Sequence, residues 1–297
     1  MQINTHIRTD ILKDIFYKKK KVELHIARLD LLHPIVSGNK YFKLKYNIEN
    51  TLTAHKKGIV TFGGAFSNHL AATAYACNKA GLKSLAIVRG EKAHSLSHTL
   101  NFCKENGMEL QFVSREAYSN KEVLYRHFNT EFPDYYLVPE GGDNEAGEKG
   151  CGEILSSIDN ASQYSHIICA IGTGTTFKGL VKSTHPQQTI VGIVVLKGAD
   201  KMEETLTQQL SPQKNFDLIH NYHFGGYAKK TNELLAFMSR FYQQHLIPSD
   251  FVYTGKLFFA ADNLIQRDYF PGGSKLLCIH SGGLQGNLSL APGLLNF

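Results

Sequence analysis

Two glycine-rich turns in this 297-residue chain each join an apolar, β-rich run to a helix, and that order constrains the fold more than any other feature. GIVTFGG (58–64) runs into SNHLAATAYACNKAG (67–81), and HIICAIG (166–172) runs through a GTGTT loop into a second helical stretch. A strand that ends in glycine and passes straight into a helix is the first half of a crossover joining parallel strands. The alternation continues with KSLAIVRG (83–90) as a strand, SHTLNFCKENG (97–107) as a helix and MELQFVS (108–114) as a strand. A helix follows around 121–129, and YYLVPEGG (135–142) ends in a turn. A second series opens near 145 with a helix to about 158 and adds TIVGIVVLKG (189–198) and KLLCIHSGG (275–283) as strands. The pattern predicts a two-domain α/β protein, each domain a parallel sheet flanked by helices. The expected division is a small domain over 45–145 and a larger one made of 1–44 plus 146–297.

Composition narrows the function classes. The chain is 42% hydrophobic and 20% charged, which is ordinary for a globular protein. Its formal charge is +6, but the basic residues are scattered and the one dense run, Lys18 to Lys21, reads as a solvated face. No nucleic-acid partner is expected from it. No run approaches the ~18 uninterrupted apolar residues of a membrane span, and the first residues lack the apolar core of a secretory signal. A cytoplasmic protein with no membrane partner is the expectation. The five cysteines are widely spaced and form no CxxC pair, which argues against a disulfide framework or a metal site.

Three segments carry the chemistry. In SGNKYFKLKYN (37–47), Lys40 follows Gly38 and Asn39 at a turn that opens a helix, and Lys43 lies three residues on, on the same helical face. A lysine amine can condense with an aldehyde, while a second amine can neutralise an anion. In GTGTT, Gly172, Thr173, Gly174, Thr175 and Thr176 supply backbone N–H groups and hydroxyls at a helix start, the layout of a phosphate cradle. A dinucleotide site would want an acidic residue about 20 residues further on. Lys197 stands there instead. Ser67 and Asn68 follow Gly63-Gly64; Ser67 reads equally as a helix N-cap or as a side chain turned towards a ligand, with Asn68 beside it. Tyr227 and Tyr253 are candidate proton donors among 14 tyrosines. A lysine amine, a phosphate loop and a serine–asparagine pair together suit pyridoxal 5'-phosphate.

Taken as an ordered set, GNKYFKL, GGAFSNH, GTGTT, VYTGK and HSGG resemble the 1-aminocyclopropane-1-carboxylate deaminase and D-cysteine desulfhydrase family. The resemblance spans most of the chain and implies the tryptophan-synthase β-like fold (fold type II) with pyridoxal phosphate as cofactor. It implies that Lys40 carries the cofactor covalently, that Lys43 and the 172–176 loop bind its phosphate, and that Asn68 approaches its ring hydroxyl. Ser67 then sits near the substrate carboxylate, and Tyr227 and Tyr253 are the active-site tyrosines. Deaminase members tend to have glutamate after the tyrosine of the VY-x-GK motif and leucine before the terminal Gly-Gly. This chain has Thr254 and Ser281, as on the desulfhydrase side. It departs from the family at Tyr41-Phe42, where Thr-Arg is common, and at Ala228-Lys229, which follows Tyr227 where a glycine is commoner.

The expected activity is α,β-elimination from a small amino acid, with D-cysteine giving pyruvate, sulfide and ammonia. The alternatives are deamination of 1-aminocyclopropane-1-carboxylate to 2-oxobutanoate and ammonia, or a protein that binds the cofactor without turnover. The resemblance also suggests a homodimer.

Overall fold

The computed structural model describes residues 5–210, 215–295 and 297. In chain order the strands are β1 (Thr9–Ile11), β2 (Glu23–Ala27), β3 (Gly58–Gly63), β4 (Lys83–Arg89), β5 (Met108–Val113), β6 (Tyr135–Val138), β7 (His166–Ile171), β8 (Thr189–Val194), β9 (Asn215–Ile219) and β10 (Lys275–Ile279). The chain forms two compact units. One gathers His33–Val36 and Lys40–Gly150; the other gathers 5–32, Ser37–Asn39 and Cys151–Phe297.

The first unit is a four-stranded sheet, ordered β5-β4-β3-β6, with every pair parallel. The two central strands, β3 and β4, are buried almost end to end because both faces of the sheet are covered. On one face Ala86 and Val88 pack with Leu70, Ala71 and Ala74 of helix Asn68–Lys79 and with Leu100 and Cys103 of helix His98–Glu105. On the other, Leu85 and Ile87 pack with Val60, Phe62 and the side chains of Leu124 and Phe128 from helix Lys121–Glu131. The period-2 alternation of β4 therefore divides two cores.

The second unit holds a six-stranded sheet, ordered β1-β2-β10-β7-β8-β9. It is parallel except at one edge, where β1 pairs antiparallel with β2. One face supports helices Asn232–His245 and Thr254–Gln266 through Leu24, Ile26, Ile168, Val191, Ile193, Leu276 and Cys278. Gly192 in β8 has a specific cause: a Cβ there would lie 2.8 Å from Phe177 and 2.3 Å from Ile171, so its absence lets helix Thr175–Ser183 close on the sheet.

The expected α/β architecture is present, with differences in detail. The helix expected to 158 stops at Cys151, and a 3-10 turn follows at Leu155–Ser157. All five cysteines are buried thiols outside any disulfide. Burial pushes those of Cys77 and Cys103 up to about 12, so they are inert at neutral pH. Among the described residues, no helix is long and apolar enough to cross a membrane.

Candidate functional site

In the first unit, the helix Asn39–Thr53 carries Lys40 and Lys43 in its opening turn. Lys40 is half-buried, whereas Lys43 is buried and its Nζ donates to the Gly141 carbonyl at 2.8 Å. The same helix is tied to the 140–150 segment by a pair of amides. Asn47 Nδ2 donates to Asn144 Oδ1 at 3.2 Å, and Asn144 Nδ2 returns a bond to Asn47 Oδ1 at 2.8 Å. Gly150 lies so close to Phe42 that a Cβ would overlap the Phe42 carbonyl. These contacts fix the direction in which the two lysines leave the helix.

Ser67 and Asn68 sit where β3 ends and helix Asn68–Lys79 begins, at the carboxyl end of a parallel strand, where α/β sheets present their ligand-binding groups. Ser67 is a true N-cap, its Oγ accepting from the Leu70 N–H at 3.4 Å, and its own hydrogen remains to donate. The structural and the functional readings of this serine are therefore compatible.

His69, which the sequence reading passed over, is the next residue and is buried. The Thr61 hydroxyl donates to the Val138 carbonyl at 2.8 Å, so it accepts from His69 Nε2–H at 2.9 Å. That relay puts the ring proton on Nε2. His69 Nδ1 is buried without a hydrogen-bond partner among the described residues. Burial, then the positive charges of Lys40 and Lys43, pull its pKa down to about 3, so the ring is neutral. Gly142 completes the cluster: a Cβ on it would lie 3.3 Å from Lys43 Cβ and 3.5 Å from His69 Cε1.

In the second unit, the loop after β7 enters helix Thr175–Ser183 through Gly174, whose φ of +91° suits glycine. No side chain caps this helix, and no acidic residue stands in its first turn. Thr173 is exposed while Thr175 and Thr176 are buried, and the Thr173 and Thr175 hydroxyls lie 3.0 Å apart. Asn39 Nδ2 donates to Thr176 Oγ1 at 2.8 Å, and Asn39 N–H to the Ser281 carbonyl at 3.3 Å. Gly38 is required beside it, because a Cβ would overlap that carbonyl. The residue next in the chain is Lys40. Asn39 is thus a positioning side chain that the sequence marked only as the neighbour of a lysine.

Tyr253 lies against the same loop, its Cε1 3.0 Å from where a Cβ on Gly172 would stand. The Tyr227 and Tyr253 rings meet edge to face at 6.0 Å between centroids. Thr254 is fully buried; its hydroxyl donates to Asp250 Oδ2 at 2.7 Å and accepts from the Asp250 N–H at 2.8 Å. Its one proton is spent, and a remaining lone pair can only accept. Asp250, which makes these contacts, carried no sequence signal. Ser281 is half-exposed just past the carboxyl end of β10. Among the described residues, no group of His, Cys, Asp and Glu is arranged to hold a metal ion.

A family model described as pyridoxal-phosphate dependent enzyme matches residues 8–282. The chain belongs to that family. A protein of Arabidopsis thaliana named bifunctional D-cysteine desulfhydrase/1-aminocyclopropane-1-carboxylate deaminase, mitochondrial, is 29% identical over 294 residues, covering 89% of this chain and 73% of its own. A D-cysteine desulfhydrase of Klebsiella pneumoniae (strain 342) is 26% identical over 295 residues, covering 92% and 90%. The crystal structure of an ACC deaminase homologue superposes with a TM-score of 0.81 at 25% identity, covering 95% of this chain and 90% of that one. The enzyme therefore has the fold of type II pyridoxal-phosphate enzymes and falls in the 1-aminocyclopropane-1-carboxylate deaminase and D-cysteine desulfhydrase group. The donors fit its cofactor: a helix start with no side-chain cap and no acid in its first turn suits a phosphate, and a half-buried amine in a helix start suits an aldehyde.

Proposed function

We propose that the enzyme catalyses α,β-elimination from a small amino acid, with D-cysteine as its substrate and pyruvate, sulfide and ammonia as products. Bound pyridoxal phosphate supplies an electrophilic aldehyde for amines and a conjugated ring that takes up the electron pair left at Cα. Lys40 would hold the cofactor through its amine and would be the base placed to remove the α-proton. Lys43 and the Gly172–Thr176 loop hold the phosphate, Asn68 meets the ring hydroxyl, and Ser67 donates to the substrate carboxylate. Tyr253 and Tyr227 hold the proton for the departing thiolate. The released enamine takes up water, giving the 2-oxo acid and ammonia, so that D-cysteine and one water balance the three products.

The observation that carries the choice of substrate is Thr254, with Ser281, in place of the glutamate and leucine that mark deaminases. A hydroxyl at the ring nitrogen makes a weaker electron sink than a carboxylate, which suffices for a good leaving group such as thiolate. A second reading, deamination of 1-aminocyclopropane-1-carboxylate, draws on one contact. The Asp250 carboxylate stands directly behind the Thr254 hydroxyl, so it can make that oxygen a better acceptor. The homodimer is carried from the sequence resemblance.

Coupled assays with D-cysteine, 1-aminocyclopropane-1-carboxylate, D-serine and L-cysteine separate the readings; turnover of D-cysteine above the others is expected, and absence of any turnover rejects the proposal. Borohydride reduction of the coloured protein, followed by peptide mapping, is expected to fix the cofactor on Lys40. Lys40→Ala should lose that adduct and about 10²–10⁴-fold in turnover.

A further inference from the structure

Lys256 is fully buried, an unusual state for an ammonium, and it lies one turn into helix Thr254–Gln266. Its Nζ donates to two backbone carbonyls, His223 O at 2.9 Å and Gly226 O at 2.8 Å. These carbonyls belong to the turn that leads directly into Tyr227. The turn is conformationally costly: Phe224, Gly225, Gly226 and Ala228 have φ of +50°, +93°, +117° and +53°. Side chains on Phe224 and Ala228 rarely accept that region, so the surroundings must impose it.

One face of the helix does so. Lys256 holds the two carbonyls, Phe259 packs edge to face on Phe224 at 4.9 Å, and Asn263 Oδ1 accepts from the Tyr222 hydroxyl at 2.9 Å. Positions 256, 259 and 263 follow the i, i+3, i+7 spacing of a single helical stripe. The start of the same helix fixes Tyr253. Asp250 Oδ1 accepts from the N–H groups of Val252 and Tyr253 at 2.9 and 2.8 Å, and Oδ2 from that of Thr254 at 2.9 Å. A helix anchored at Tyr253 and reaching out to the turn before Tyr227 is a rigid ruler between the two rings.

We infer that Lys256 is a positioning residue, which sets Tyr227 against Tyr253 by clamping the 223–226 turn. The assignment deepens the proposed elimination, since it rests on the two tyrosines handling the leaving-group proton. Burial draws the Lys256 ammonium down to about 8, with the Asp250 charge pulling the other way. An amine kept buried at that cost is consistent with a structural demand for two converging N–H donors that no apolar side chain meets.

The test uses protein labelled with 3-fluorotyrosine and loaded with pyridoxal phosphate, the Tyr227 fluorine signal being assigned by its loss in Tyr227→Phe. Lys256→Met should shift or broaden that signal and lower kcat about tenfold on D-cysteine, with KM and cofactor absorbance unchanged. Lys256→Arg, which keeps paired donors, should recover part of both. Adding Tyr227→Phe to Lys256→Met should cost nothing further. Phe259→Leu, which loosens the same turn without stranding two carbonyls, should move the signal the same way by less, and it stands in if Lys256→Met does not fold. An unmoved Tyr227 signal in these variants, or losses of Lys256→Met and Tyr227→Phe that multiply, would overturn the inference. If the parent protein turns over none of the assayed substrates, the elimination reading fails, while the fluorine signal still decides the role of Lys256.

Discussion

The two strand–glycine–helix junctions look alike in sequence and use their helix starts in opposite ways. After β3, the helix is closed by its own side chain: Ser67 accepts from the Leu70 N–H. After β7, the chain enters on Gly174 with φ of +91°, no side chain caps the helix, and its first turn holds no acid. A capped start satisfies one of its orphan N–H groups internally, whereas an uncapped one keeps them for an outside acceptor. The first junction is thus a firm platform that presents Asn68 and seats His69. The second begins without a side-chain cap. One local pattern thus ends in a side-chain-capped helix start in one unit and in an uncapped one in the other.

The largest effect that can break this contrast lies at the capped junction. His69 is held near 3 in the folded chain against an ordinary value of 6.5, with burial the main cause. The unfolded chain therefore binds more protons between those values. Stability is full above 6.5 and falls as the pH drops, by roughly 5 kcal/mol once below the folded value. Urea unfolding of the wild type and His69→Gln from pH 7 to pH 4 should give a shallower slope in the variant. Equal slopes would remove His69 from the scaffold.

A middle-sized effect belongs to the open junction. Gly174→Val forces a branched side chain into a left-handed conformation, and its Cβ would stand 3.2 Å from Leu206. A penalty of about 1–2 kcal/mol should appear as roughly tenfold weaker pyridoxal phosphate binding in an absorbance titration. Unchanged affinity would mean that this loop does not hold the phosphate. The smallest effect is Ser67→Ala, expected to cost about 1 kcal/mol of stability in thermal or urea unfolding through loss of the cap. It should raise KM for the amino acid while leaving cofactor affinity alone; a loss of cofactor affinity like that of Gly174→Val would erase the distinction between the junctions.

Much of the candidate site is proposed from signals that are short-range. Lys40 and Lys43 share a helical face by spacing alone, and glycines at strand ends announce ligand loops whatever packs behind them. Thr254 was legible as a residue type, while the commitment of its hydroxyl proton to Asp250 was not. Lys256 stood inside a motif, VYTGK, yet carried no role. Its partners are backbone carbonyls 30 and 33 residues away, and carbonyls have no sequence signature. His69 looked like the tail of a cap motif until Thr61 and Val138 fixed its tautomer.

The alternation is legible in the residues alone: which runs become strands, which turns need glycine, and therefore a parallel α/β protein with lysines and hydroxyls at its turns. Those choices follow from backbone sterics and from the 2-residue and 3.6-residue periods, which act over a few neighbours. The assembled fold, and nothing local, pairs β2, a short run near the start, with β10 near the end. It alone decided that Asn39 reaches Thr176, and that one helix aligns two tyrosines. Such partners are selected by burial and hydrogen-bond satisfaction across long stretches of chain, and neither quantity exists until the sheet is assembled.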